Sequence, residues 1–352
     1  MRILIIGGTS FMGPAVAREL VAAGHSVAVF HRGKTERDVP EPVTHIHGNQ
    51  RDLPSFADEF ARFAPEVVIH MTLATEAQAQ TFVATFTPPP LAGVTRRAVV
   101  ISSQDVYHAF GLVNRTESGA PDPIPLTEDS PLREHLYPHA EMEPPPGNED
   151  NDFWRQIKQY DKILVERMVM GAPALPCTVL RLPAVYGPRD QQHRTREIVK
   201  RVDDGRRAII LDADVANWRW THGYVDDMAH AIVLAATDDH AAGHIYNVGE
   251  PDPLTYEERA RALGAAAGWQ GEIVVVPHDQ LPVSLQWDGD ATQDVVVDTS
   301  HIRRDLGYAE ALPRTERLAR AVAWERANPP AADTPGAYDY ATEDEVLAQM
   351  GK

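Results

Sequence analysis

Seven residues near the start of the chain, Gly7-Gly8-Thr9-Ser10-Phe11-Met12-Gly13, have the types and spacing to hold an anion. They follow a short apolar run, Ile3 to Ile6, and open a helical period carried by Met12, Val16 and Leu20. A glycine turn between a strand and a helix aims backbone N–H groups at a ligand, and the helix dipole adds to their pull on a phosphate. Gly7 is expected to make the tight turn and Gly13 to let the helix pack closely on the strand, with Thr9, Ser10, Phe11 and Met12 completing a candidate dinucleotide-binding turn. Ser10 stands where the fingerprint would place its middle glycine, and a plain structural turn is the competing reading.

The other end of such a cofactor is read after the next strand, where an acidic residue usually holds the ribose 2′-OH of NAD. This chain has Phe30-His31-Arg32-Gly33-Lys34 there. Two cations and no carboxylate favour a 2′-phosphate on Arg32, hence NADP(H), with NAD left open; the alternative is that both are solvated loop charges. The fifteen histidines include no His-Glu-x-x-His or similar spacing, so no metal is expected. Cys177 is the single cysteine, which excludes a disulfide framework within the chain.

These residues need a scaffold. Strands are expected at Ile3–Ile6, Ser26–Phe30, Val43–Ile46, Glu66–His70 and Ala98–Ser102, with helices at Leu53–Phe63 and Ala74–Phe86 between them. That alternation predicts an α/β fold, a doubly wound parallel sheet with a smaller C-terminal substrate lobe. From His108 to Asp152 the period stops in a proline-rich, acidic stretch that includes Pro144-Pro145-Pro146-Gly147, which is either a functional lid or disordered. One helix is expected over Phe153–Met170 and a strand over Cys177–Leu182; mixed patterns follow near Tyr246–Gly249, Gly271–Val276 and Val295–Val297, then helices near Ile302 and over Arg314–Asn328. The expected organisation is a dinucleotide-binding domain over 1–185, with 108–152 as a lid insertion and 220–248 returning to it. A substrate lobe is expected over 186–219 and 249–330, and 331–352 is a tail that either wraps the body or stays mobile.

At 352 residues the chain can bury a large core, and its net charge of −18 argues against nucleic acid, which demands clustered cations. No apolar run approaches a membrane span, and the chain enters its first strand at once, so a cytoplasmic protein acting on a small molecule is expected, with a homodimer left open.

Gly7–Gly13, Val68-Ile69-His70, Ser102-Ser103-Gln104-Asp105-Val106-Tyr107, Arg181-Leu182-Pro183-Ala184-Val185-Tyr186-Gly187-Pro188, Tyr224-Val225-Asp226-Asp227-Met228-Ala229 and Tyr246-Asn247-Val248-Gly249 stand in the order of a known family's motifs. Over roughly residues 1–325 the chain resembles the extended short-chain dehydrogenases/reductases of the NAD-dependent epimerase/dehydratase group, and within them an atypical branch that includes a chloroplast stem-loop RNA-binding protein. The resemblance implies a Rossmann lobe and a hydride-transferring reductase, epimerase or dehydratase acting on a hydroxyl or keto group of a small polar substrate, such as a nucleotide sugar. It implies that Ser103 is a catalytic hydroxyl, that Asn49 contacts adenine, that Pro183 packs near the nicotinamide, and that Tyr107, Arg219 and His222 face substrate. The competing reading of Arg219 is an ion pair with Asp226 or Asp227.

The family also pairs a tyrosine with a lysine four residues on, one helical turn apart on one face. Lys162 matches that lysine, but Lys158 stands where the tyrosine belongs, and Tyr160 lies about 200° from Lys162 on a regular helix. Three readings stay open. Lys158 is the acid/base, its ammonium made more acidic by Lys162; or the helix is irregular and Tyr160 enters, with Tyr107 or Tyr137 as other phenols; or catalysis is lost and the protein is an NADP(H)-binding sensor or scaffold.

Overall fold

The computed structural model describes residues 1–35, 38–145, 151–333 and 337–352. Its strands are β1 (Arg2–Ile6), β2 (Ser26–His31), β3 (Thr44–His47), β4 (Val67–His70), β5 (Arg97–Ser103), β6 (Cys177–Leu182), β7 (Ala184–Tyr186), β8 (Ala208–Asp212), β9 (His222–Tyr224), β10 (Ile245–Asn247) and β11 (Glu272–Val276). Seven of them form one parallel sheet in the order β10-β6-β5-β4-β1-β2-β3. Both faces are covered, which is why β1 reads as an unbroken apolar run. Ile3 and Ile5 meet Val16, Leu20 and Ile232 on one side, and Leu4 and Ile6 meet Phe60, Phe82 and Val165 on the other. The strand order reverses between β1 and β4, so a crevice opens at their carboxyl ends, the position where doubly wound sheets bind ligands.

The turn after β1 is built as its glycines require. Gly7 has φ +83°, and a Cβ there would sit 2.9 Å from the Thr72 methyl group. A Cβ on Gly13 would lie 2.4 Å from the Gly8 carbonyl carbon, so no other residue fits where the helix Gly13–Ala22 starts.

The single helix expected over Phe153–Met170 is two helices, Asp152–Lys158 and Lys162–Met170. Asp161 causes the break. Its backbone is extended, and its carboxylate accepts from the N–H groups of Ile163 and Leu164 at 2.8 and 3.3 Å, an N-cap placed inside an otherwise helical pattern.

The stretch read as structureless also differs from expectation. It carries the helix His108–Val113, a fully buried Leu126 bridged to Val297 of the C-terminal lobe, and a buried Arg133. Pro146 and Gly147 of its proline run lie outside the described residues. The tail wraps the body. Helix Tyr340–Gln349 packs Val346 and Leu347 against the small parallel sheet β11-β8, and Glu343 accepts from Arg201 at 2.7 Å. Among the described residues no helix is long and apolar enough to cross a membrane.

Candidate active site

β5 ends at Ser103, beside β4 and the crevice. The Ser103 hydroxyl caps the next turn, accepting from Asp105 N–H at 3.2 Å. That turn swings the Asp105 carboxylate inward. The helix break does the same for Tyr160, whose hydroxyl donates to Asp105 Oδ2 at 2.5 Å and also meets Ser103. Lys162, the first residue after the break, lies with Nζ 6.0 Å from the centre of the Tyr160 ring. Its ammonium donates to the carbonyls of Leu73 and, at 2.9 Å, Ile101, and one proton is left over.

Burial dominates the electrostatics here. It pushes the Lys162 ammonium down to about 8, against the pull of Asp105 and Glu166. It raises Asp105, although the Tyr160 hydrogen bond and Arg133 oppose the rise. The Tyr160 phenol stays protonated far above its usual range, first through burial and then through the Asp105 charge. The Asp105 Oδ1 atom is buried with no hydrogen-bond partner among the described residues, which makes an ionised carboxylate there costly. Sequence reasoning missed Asp105; the signal was a carboxylate two residues past the candidate serine.

Lys158 is not brought to this group. It ends the first helix and is exposed, because the break removes the shared face that a continuous helix would give it with Lys162. Tyr107 is fully buried, its hydroxyl donating to Asn247 Oδ1 at 2.7 Å and accepting from Arg181 at 3.0 Å, so it faces the core instead of a substrate. Tyr137 lies outside the group, with its N–H on the Asp161 carboxylate. Arg219 pairs with Asp294 at 2.7 Å rather than with Asp226 or Asp227. Asp227 is taken by Arg317.

The residues expected to hold a cofactor follow the carboxyl ends of β1, β2, β3 and β6. Thr9 Oγ1 is 2.8 Å from Thr35 Oγ1; Ser10, Phe11 (φ +48°) and Met12 lead into the first helix; Arg32 is exposed and makes no ion pair among the described residues. Asn49 is exposed and caps a turn through Arg51 N–H. Pro183 follows β6, against Gly223. These residues fit a dinucleotide, since the turn after β1 has no room for side chains and presents backbone instead.

His222 lines a cavity of about 340 Å³ together with Trp218, Trp220, Trp287, Tyr256 and Arg259. Its Nδ1 is 2.7 Å from the Trp220 carbonyl, and burial holds the ring neutral. Trp220 Nε1 and Arg259 Nη2 are buried with no hydrogen-bond partner among the described residues, although the Arg259 guanidinium lies over the Tyr186 ring. Trp218, Trp220 and His222 come from one short run, while Trp287, Tyr256 and Arg259 come from distant segments, so the run alone does not mark the cavity. Linear spacing also misses two metal-competent groups, His31-His45-His47 and Asp212-Asp214-His278, each assembled from separate elements.

A doubly wound sheet with a glycine turn at its switch point and a tyrosine-lysine pair beside it defines a dinucleotide-dependent fold of the oxidoreductase type. The chain belongs to the NAD dependent epimerase/dehydratase family, whose sequence profile matches residues 3–87 and 134–249. It is 26% identical over 325 residues, 89% of this chain and 79% of the relative, to a 2'-dehydrokanamycin reductase of Streptomyces kanamyceticus. Its fold is similar to a UDP-glucose 4-epimerase of Thermotoga maritima (TM-score 0.66, 18% identity, 93% of this chain and 99% of that one). It is also similar to a dTDP-glucose 4,6-dehydratase of Streptomyces venezuelae solved with NAD (TM-score 0.65, 22% identity, 93% and 98%).

Proposed function

We propose that this protein is an NADP(H)-linked enzyme that interconverts a hydroxyl and a keto group on a sugar-like substrate, with Tyr160 as its acid/base. The convergence of Tyr160, Asp105, Ser103 and Lys162 at the carboxyl end of β5 carries this reading. The bound nicotinamide supplies or takes the hydride. Tyr160 holds the proton that the substrate oxygen gains on reduction, and Ser103 is placed to donate to the same oxygen. Asp105 holds the phenol in position and, when protonated, returns a proton to it, so the phenolate never faces a bare buried carboxylate. Lys162 offers its remaining proton to the cofactor ribose. The similarity to a reductase of a keto-aminoglycoside supports a polar, sugar-like substrate.

The test is consumption of NADPH against a panel of keto sugars, keto-aminoglycosides and nucleotide sugars. Turnover of one class supports the reading, and binding of NADPH without turnover anywhere makes the sensor alternative the better one. Cofactor choice has its own expectation. Arg32 is the exposed cation at the end of β2, so NADPH should bind at least about tenfold tighter than NADH, roughly 1.4 kcal/mol, and Arg32→Ala should remove the difference. Equal affinities in fluorescence titrations of the unmodified protein would rule out that role.

A further inference from the structure

We infer that His31, His45 and His47 form a binding site for a divalent transition-metal ion of the zinc class. His31 is the last residue of β2, and β3 carries the other two. The parallel register places His31 beside His47 and Val29 beside His45, so all three imidazoles leave the same face of the sheet. β3 is the edge strand, and the rings crowd at its open end. The His31 ring centre is 5.0 Å from that of His45 and 4.8 Å from that of His47. One nitrogen from each residue lies within 4.8 Å of the other two. His31 is buried, His45 half-buried and His47 exposed, so the group runs from the interior to the surface.

The donor set selects the ion. Among the described residues the group offers three imidazoles, a donor set that suits zinc, nickel or copper better than magnesium or calcium. With metal–nitrogen bonds near 2.0–2.1 Å, two ligands of a tetrahedral ion stand about 3.3 Å apart. His31 Nε2 and His45 Nδ1 are already 2.8 Å apart, sharing a proton that the ion would replace. Gly33 N–H donates to His31 Nδ1 at 3.1 Å, so the proton displaced from Nε2 moves to Nδ1 and that hydrogen bond is released. Gly33 lies between Arg32 and Lys34, the cations offered to the 2′-phosphate. Resting on the dinucleotide reading above, the ion adds two positive charges at that end of the cofactor and favours NADPH over NADH.

The test uses full-length, untagged, chelator-stripped protein titrated with zinc against a chromophoric chelator, and with cobalt followed by visible absorption. One ion per chain is expected, with Kd on the order of 1 µM or tighter and the absorption of tetrahedral cobalt. His45→Gln and His47→Gln should each weaken zinc at least tenfold, because neither residue is fully buried and both variants keep the fold. Asp214→Asn, in the other cluster, should change nothing. Absence of binding, or binding untouched by both histidine variants, overturns the site. The NADPH-to-NADH affinity ratio should rise several-fold with zinc and not in His47→Gln; binding with an unchanged ratio keeps the site and overturns its coupling to the cofactor. If the protein binds neither dinucleotide, the functional reading fails while the zinc titration still stands.

Discussion

Tyr160→Phe is expected to lower kcat about a thousandfold while NADPH binds as it does to the unmodified protein. The phenol is the one group in the site with a transferable proton that is held by both Asp105 and Ser103. Removing its oxygen removes the acid/base and leaves the glycine turn intact. Asp105→Asn should cost less in rate but should change the pH profile, because an amide cannot return a proton to the phenol. Lys162→Met should weaken cofactor binding and turnover together. Lys158→Met should behave as the unmodified protein, since that side chain is exposed at the end of its helix. If Lys158→Met stops turnover and Tyr160→Phe keeps it, the two-lysine reading is right and the phenol is a bystander.

Glu166→Ala is expected to destabilise the fold by about 3–5 kcal/mol and, by removing one pull on the Lys162 ammonium, to make that group more acidic. Glu166 is buried and binds Arg181 at 2.7 Å while accepting from Ser102 Oγ at 2.5 Å. Arg181 in turn donates to the Tyr107 hydroxyl, which reaches Asn247. One network thus ties β5, β6, β10 and the helix Lys162–Met170 together, and deleting its carboxylate strands a buried guanidinium. Chemical denaturation would measure the loss, and a cost under about 1 kcal/mol would show that the network relaxes or hydrates. Replacing both partners with apolar residues of similar volume should recover much of the loss, because the penalty belongs to the unpaired charge rather than to the missing bond.

The parts of the fold governed by local rules were legible in the sequence. An apolar run, a glycine turn and a helical period within about thirty residues are enough to specify β1, the first helix and β2, since each signal is short-range. The acid/base was not legible as written, because the argument from residues four apart presupposes one unbroken helix. Asp161 carried the correction: an N-cap residue directly before Lys162 outweighs the apolar period that runs through it. The aromatic cavity and the histidine cluster each show only part of themselves in the linear sequence, Trp218 with Trp220 and His45 with His47. Trp287 meets Trp218 only in the folded lobe, and His31 meets His45 and His47 only when β2 and β3 pair. The acidic tail concealed a helix because its anchors, Glu343 to Arg201 and Val346 to the sheet, lie far away in the chain.

The helix break also governs which length changes the chain can absorb. In a continuous helix, inserting one residue ahead of a lysine rotates everything upstream by about 100°, and a tyrosine four positions back leaves the site. Here the Tyr160–Lys162 spacing is held from its own side of the break. Asp161 caps the second helix, holds the Tyr137 N–H at 2.7 Å, and gives its own N–H to the Ala74 carbonyl at 3.0 Å. The helix Asp152–Lys158 reaches the phenol through its last turn, where the Ile157 carbonyl accepts from the Tyr160 N–H at 3.0 Å, so a length change near its start should disturb the phenol less than a single insertion between Tyr160 and Lys162, which would dismantle the site.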